Sequence, residues 1–304
     1  MPDPSDDIAR SKEHEMAVYV SSMRALYENA VLQNGEIFDI ASAITESFAR
    51  INPAAILADS RIIRILRYCL APSISQMKFG QLFGLSTIDS YERNKVTSPS
   101  KLGELAVLAP KIAEFVNRHL DTSRFLWLSG PLSSDCRTLA NQYAKSWTCS
   151  IMADQNAQTA YRNWRKNQQE AAIECQLISL GYVRSTFSGQ VEDRTDINLG
   201  EYSKERKVRG ITSQKADVIV RRKRDGQLVL IEAKAVGVQV DAFKRVKECC
   251  DKARDWRRND RLGEVVVVAV IAGFFAPQNL NALDEAGAMV VWEHRLTDLT
   301  ELLA

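Results

Sequence analysis

Asp217, Glu232 and Lys234 are the residues whose types and spacing could do chemistry. The chain reads Ala-Asp-Val-Ile-Val over 216–220, Arg-Arg-Lys-Arg-Asp-Gly-Gln over 221–227, and Leu-Val-Leu-Ile-Glu-Ala-Lys over 228–234. Two apolar runs therefore flank Asp225-Gly226, a dipeptide suited to a tight hairpin turn. If Arg224 faces Gln227, then Asp217 faces Lys234 and Ile219 faces Glu232. Side chains alternate along a strand, so Asp217, Glu232 and Lys234 then share one sheet face. Two carboxylates and an amine converging on a sheet face suit a divalent-metal phosphodiesterase. Hydrolysing a phosphodiester requires an aimed water and neutralisation of the charge at phosphorus. As a hard ion, Mg²⁺ takes oxygen ligands. The expected ligands are Asp217, Glu232 and the backbone carbonyl of Ala233. Lys234 would orient or deprotonate the water, or stabilise the phosphate oxygens. A purely structural account is a surface hairpin with an Asp217–Lys234 ion pair.

The elements that must position this set follow from pattern. The first 120 residues read as helices, including 8 to about 29–35, 37–51 and 59–70. Within 75–95 two short helices flank Gly84-Leu-Ser86, with Ser86 as N-cap. That spacing predicts either a helix-turn-helix contacting DNA or an αα-corner used for packing. A break at 129–135 sets the expected domains: a helical one over 1–130 and a catalytic one over 131–304. Further helices are expected over 139–153 and 157–180. Strands then alternate with helices in the order α-β-β-β-α-β, a mixed α/β (α+β) sheet flanked by helices. Glu170 and Glu174 lie four apart on the helix before the sheet and so share a side. Glu174 could serve a second ion or its water, or both acids could line a solvated helix edge.

Composition narrows the function class. The 304 residues are 45% hydrophobic and 26% charged, ordinary for a globular protein. No apolar run is long enough to span a bilayer, and the N-terminus lacks a signal-peptide pattern. A cytoplasmic protein without a membrane partner is expected. Six cysteines without metal-finger spacing are expected to be buried free thiols. The net charge of +2 is unevenly spread. Residues 1–60 carry ten acids against four Lys/Arg, whereas 204–224 hold nine Lys/Arg and 244–261 hold eight. Two basic tracts bracketing the acidic cluster favour a polyanion, although a solvated basic face is the commoner meaning of one such run. His14, His119 and His294 have no ligand-like spacing, and there is no phosphate-cradling Gly-x-x-x-x-Gly-Lys.

Asp217…Glu232-x-Lys234 resembles the signature of the PD-(D/E)xK nucleases, with Ala216 in place of the proline. More specifically, the C-terminal half resembles the XamI/SalI group of type II restriction endonucleases. The likeness rests on Leu-Ile-Glu-Ala-Lys-Ala at 230–235, Phe-Lys-Arg-Val-Lys-Glu at 243–248, Ala-Gly-Phe-Phe at 272–275 and the run 291–299. Ile173-Glu174 before Leu180-Gly-Tyr182 also fits, and it marks Glu174 as an active-site helix acid. The resemblance implies a restriction-endonuclease-like core and Mg²⁺-dependent cutting of both strands of double-stranded DNA at a short palindrome, leaving 5′-phosphates. The group includes enzymes for GTCGAC. A palindromic target implies a homodimer, and a restriction-modification system implies a cognate DNA methyltransferase as genetic partner. Base readout is expected from Arg, Lys, Asn or Gln in a polar loop over 188–214. Two rivals are a repair or junction-resolving nuclease of the same fold, and a non-enzymatic regulator using residues 75–95.

Overall fold

The computed structural model describes residues 4–85 and 87–304. Contacts divide the chain into two compact units: residues 1–22 with 161–304, and residues 23–160. Where the sequence suggested a division at 130/131, these boundaries fall inside two long helices.

The 23–160 unit is helical. It holds most of α1 (Pro4–Ile44), then α2 (Pro53–Ala58), α3 (Ile62–Tyr68), α4 (Gln76–Phe83), α5 (Ile88–Arg93), α6 (Pro99–His119) and the first part of α7 (Ser134–Ser179). Its core gathers Phe38, Phe48, Ile56, Ile63, Leu66, Phe79, Ile112 and Phe125. Helices α4 and α5 meet at Gly84, whose φ of +70° suits the residue without a Cβ. Ser75 caps α4, and its side chain accepts from the Lys78 amide. The expected Ser86 cap lies outside the described residues. The inward side of α5 is tied to its neighbours: Glu92 pairs with buried Arg67 at 2.5 Å, and Tyr91 donates to Glu104 at 2.6 Å.

The sequence pattern suggested two helices over 8–51 and two over 139–180, yet α1 and α7 are each continuous, at 41 and 46 residues. Gly35 lies where the first of these was expected to stop, yet α1 runs through it. A single helical glycine costs only about 1 kcal/mol relative to alanine, too little to end a long helix. The interval 154–156 carries polar residues but neither proline nor glycine.

In the other unit a six-stranded sheet runs in chain order: β1 (Val183–Arg184), β2 (Glu201–Arg209), β3 (Ser213–Arg221), β4 (Leu228–Val236), β5 (Val265–Gly273) and β6 (Ala288–Trp292). The centre β2-β3-β4 is antiparallel, and β1-β2 and β4-β5-β6 are parallel. Helix α8 (Gln239–Arg257) links β4 to β5, α9 (Pro277–Glu285) links β5 to β6, and α10 (Asp298–Leu303) ends the chain. This is the expected mixed sheet flanked by helices. The inner strands are nearly all Val, Ile, Leu and Ala because both faces are covered. One face packs Ile219, Leu230, Val267 and Ala269 against Val246, Cys249, Ala253 and Trp256 of α8. The other packs Val218, Ile231, Val268 and Val270 against Ile173 and Leu177 of α7 and Leu299 of α10.

Strand β2 corrects the expectation of a loop over 188–214. Its Lys-Glu-Arg-Lys-Val-Arg run looks polar throughout, and only Tyr202, Ser203 and Val208 are buried. Its strand character comes from pairing with β3 over Tyr202↔Val220 to Arg209↔Ser213. The first strand of the sheet is short, spanning only Val183–Arg184.

The first helical turns of α1 also belong to this unit. Ser11 Oγ accepts from the Gly273 amide at 2.7 Å, and Asp7 pairs with Arg295 at 2.8 Å and His294 at 3.1 Å. Arg165, almost wholly buried, bridges Glu15 at 2.8 Å and Glu293 at 2.9 Å. Gly273 has φ +94°, and a Cβ there would collide with the Val236 carbonyl. Among the described residues no helix is long and apolar enough to cross a membrane. All six thiols are free; Cys136 and Cys175 are exposed on α7, unlike the buried sites expected, and the other four are buried.

Candidate active site

The hairpin register differs from the expected one. Ile219 faces Leu230 and Arg221 faces Leu228, and continuing this ladder puts Asp217 opposite Glu232. The turn is the cause. Arg222 donates its amide to Gln227, enclosing four residues instead of two, and Gly226 takes φ +70°. Asp225 shapes this wider loop from the side by accepting from the Arg222 guanidinium and the Gln227 amide. Those interactions depress its pKa to about 2, the Arg222 hydrogen bond being the main cause. A shift of two residues preserves strand parity, so Asp217, Glu232 and Lys234 still share a face. That face is the one covered by α8.

Beyond the ladder's end the strands leave room for side chains between them. Asp217 Oδ2 accepts from the Ala233 amide at 2.9 Å and lies 3.4 Å from Lys234 Nζ. Lys234 Nζ donates to Glu232 Oε2 at 2.7 Å. One ammonium therefore touches both carboxylates. Burial disfavours charge on Lys234, but the neighbouring Glu232 and Asp217 outweigh it and hold the pKa above the ordinary lysine value. These groups are not on an exposed face as the bare hairpin suggested. Glu232 is fully buried, and the Lys234 side chain is 13% exposed. The reason is α8, which lies over them and adds Lys252, whose Nζ donates to Glu232 Oε1 at 2.8 Å and Oε2 at 2.9 Å. Cys249 sits nearby, its thiol pushed up to about 12 by burial and then by Glu232.

Glu174 lies on α7, whose Ile173 and Leu177 pack on the other sheet face. Its carboxylate accepts from Tyr202 Oη at 2.8 Å and Lys204 Nζ at 3.0 Å. Burial opposes its ionisation, but these two donors prevail and lower its pKa. Glu170 is more buried, 3.2 Å from Lys166 and 4.0 Å from Lys204. Lys166 and Lys215 both reach Glu205, at 3.0 and 2.9 Å. The hydrogen bond from Lys215, followed by that from Lys166, holds the Glu205 carboxyl down at about 2. A charge-alternating chain thus runs Glu174–Lys204–Glu170–Lys166–Glu205–Lys215, and the Lys215 carbonyl in turn accepts from Lys252. Lys166 also feels the charge of Asp217. The Glu170 cleft, with Asn167, Arg184, Lys204, Glu205 and Arg206, encloses about 410 Å³.

Lys252, Glu205 and Lys166 escaped the sequence reading. Lys252 left a trace: it stands three residues after Cys249 and four before Trp256, beside the stripe that α8 buries.

A buried, charge-balanced group of acids and lysines on a mixed sheet suits a hydrolase acting on an anionic polymer. Residues 46–292 match the model for the XamI restriction endonuclease, and the chain belongs to that family. It is a restriction endonuclease, a hydrolase that cuts DNA at specific sites. Among known proteins, it is similar to the type II restriction enzyme SalI of Streptomyces albus G, with 26% identity over 273 residues covering 84% of this chain and 82% of SalI. No solved structure matches the chain.

Proposed function

We propose that Asp217, Glu232 and Lys234 form the active site of a Mg²⁺-dependent endonuclease with a PD-(D/E)xK core. It cuts double-stranded DNA at a short palindrome and leaves 5′-phosphates. The observation that carries this reading is the single ammonium of Lys234 within 3.4 Å of both Asp217 and Glu232, since two acids that share one cation can share another. The donor set fits magnesium. Among the described residues no three His, Cys, Asp or Glu side chains form a cage, and Mg²⁺ is commonly held by one or two carboxylates plus substrate phosphate and water. Asp217, Glu232 and the Ala233 carbonyl would hold it. Bound there, the ion supplies Lewis-acid stabilisation and a water of lowered pKa.

The chain's own residues divide the remaining work. The Ala233 amide fixes the Asp217 carboxylate. Lys234, with its raised pKa, acts as an ammonium that neutralises a phosphate oxygen, in preference to acting as a general base. Glu174 and Glu170 work at one remove, through the ionic chain that ends at the Lys215 carbonyl. The Lys/Arg residues of β2 and β3 attract the DNA backbone, a salt-sensitive contribution. Base readout is assigned to the polar loop over 188–200 and the turn at 210–212. The sheet-bearing unit carries catalysis, and the helical 23–160 unit clamps DNA or dimerises, with 75–95 as a candidate contact. A homodimer matches a palindrome by symmetry, and a cognate methyltransferase would protect the same site.

The test is cleavage of plasmid DNA with and without Mg²⁺, followed by sequencing of the fragment ends, with GTCGAC the first target to try. Discrete ends carrying 5′-phosphates that vanish with EDTA support the proposal. Undiminished cutting in EDTA, or by Glu232→Gln, would overturn it, and fragments without a common end sequence would point to a repair-type nuclease.

A further inference from the structure

Helix α8 delivers one residue to the site that the sequence motif does not contain. Lys252 Nζ donates to both oxygens of Glu232 and to the Lys215 carbonyl at 2.5 Å. The face of Trp256 lies 5.7 Å away. An ammonium has three donors, and all three have partners here. Glu232 in turn accepts three hydrogen bonds from two ammoniums, one at Oε1 from Lys252 and two at Oε2 from Lys252 and Lys234, which leaves little of a carboxylate's roughly four acceptor sites. A cation drawn to this carboxylate meets two ammoniums already in contact with it. Packing alone does not call for a charge at 252, because an apolar side chain beside Cys249 and Trp256 would avoid the cost of desolvating an ammonium.

We infer that Lys252 is a positioning residue for Glu232 whose ammonium competes with the divalent cation for that carboxylate. This rests on the reading of Glu232 as a cation ligand. The competition links cation loading to substrate: a DNA phosphate entering the site offers Lys252 a second anionic partner and frees Glu232. The free enzyme is thereby kept poorly loaded, and the cation binds well only with DNA in place.

The experiment uses the full chain as wild type, Lys252→Met, Glu232→Gln and the double variant. Each is titrated with Mn²⁺ in the absence of DNA, with free ion counted by electron paramagnetic resonance. The Mg²⁺ concentration for half-maximal cleavage is then measured for wild type and Lys252→Met. Removing a cation in contact with the ligand should tighten Mn²⁺ binding by about tenfold or more and lower the Mg²⁺ requirement in the same direction. Adding Glu232→Gln should erase the gain. A purely structural lysine would leave cation affinity where it was, so equal Mn²⁺ binding by wild type and Lys252→Met overturns the inference while leaving Glu232 as a ligand. If Glu232→Gln leaves Mn²⁺ binding unaltered in both backgrounds, Glu232 is not a ligand and the underlying reading falls as well. Thermal melts without metal establish that each variant is folded. Should Lys252→Met not fold, Lys252→Gln takes its place with the same expectations.

Discussion

Replacing Glu232 by alanine tests both the chemistry and the packing, and the two effects can be separated. The carboxylate is fully buried and partners two ammoniums that are only 13% and 18% exposed. Removing one member of a buried ion pair costs about 3–5 kcal/mol, because the partner is left without compensation. Here Lys234 keeps Asp217 at 3.4 Å and Lys252 keeps the Lys215 carbonyl, and both lysines have some access to water. The lower end, about 3 kcal/mol, is therefore expected. With a urea m-value of about 2 kcal/mol/M, the midpoint falls by about 1–2 M. A domain of ordinary stability remains folded at 25 °C after such a loss. The assay is urea unfolding followed by tryptophan fluorescence, to which buried Trp256 beside Lys252 contributes. Adding Lys252→Met to Glu232→Ala removes one orphaned charge and should recover about 1 kcal/mol or more, a coupling that the double-mutant cycle reads directly. An alanine variant with the wild-type midpoint, or a double variant whose losses simply add, would refute the picture of a buried, mutually compensated cluster.

Other outcomes follow from the same geometry. Lys234→Ala should lower kcat by about 10²–10³-fold or more, while DNA affinity in Ca²⁺, measured by filter binding, changes only a few-fold. Arg165→Met strands buried Glu15 and should destabilise the sheet-bearing unit by about 3–5 kcal/mol, measured by thermal melting at pH 7. Glu205 has its carboxyl lowered from 4.5 to about 2, so its contribution is complete above pH 4.5 and is lost as pH falls towards 2. The pair is partly exposed, so the effect is small, under about 1 kcal/mol. The melting difference between wild type and Glu205→Gln should accordingly be present at pH 7 and disappear near pH 2.

Much of the sheet was legible because hydrophobic runs of length four to nine, bounded by turns, admit few interpretations. The runs at 216–220 and 228–234 lie within strands β3 and β4, where pattern placed them. The shared face of Asp217, Glu232 and Lys234 was also legible, since parity survives a two-residue slip. The slip itself was not, because it depends on Asp225 bonding sideways to Arg222 and Gln227, a preference the Asp-Gly dipeptide does not reveal. Strand β2 stayed hidden because six of its nine residues are charged, and its order comes from pairing with β3 across the short turn at 210–212 instead of from an apolar pattern of its own. The burial of Glu232 was invisible for a similar reason: its cover is α8, and a hairpin viewed alone has no lid. Lys252 illustrates the point most directly. In the linear chain it is one of eight Lys/Arg in a basic tract, and only the turn of a helix distinguishes it from its neighbours.

The involvement of Ser11 and Glu15 with Gly273 and Arg165 has a consequence for biosynthesis. The sheet-bearing unit is built from the two ends of the chain, so its earliest segment leaves the ribosome long before the strands it must join. Gly273 follows Ser11 by 262 residues, so the first turns of α1 find their seat only once β5 has been made. A product terminated before Gly273 lacks the seat of α1 and is expected to be an inert polypeptide and not a fragment able to cut.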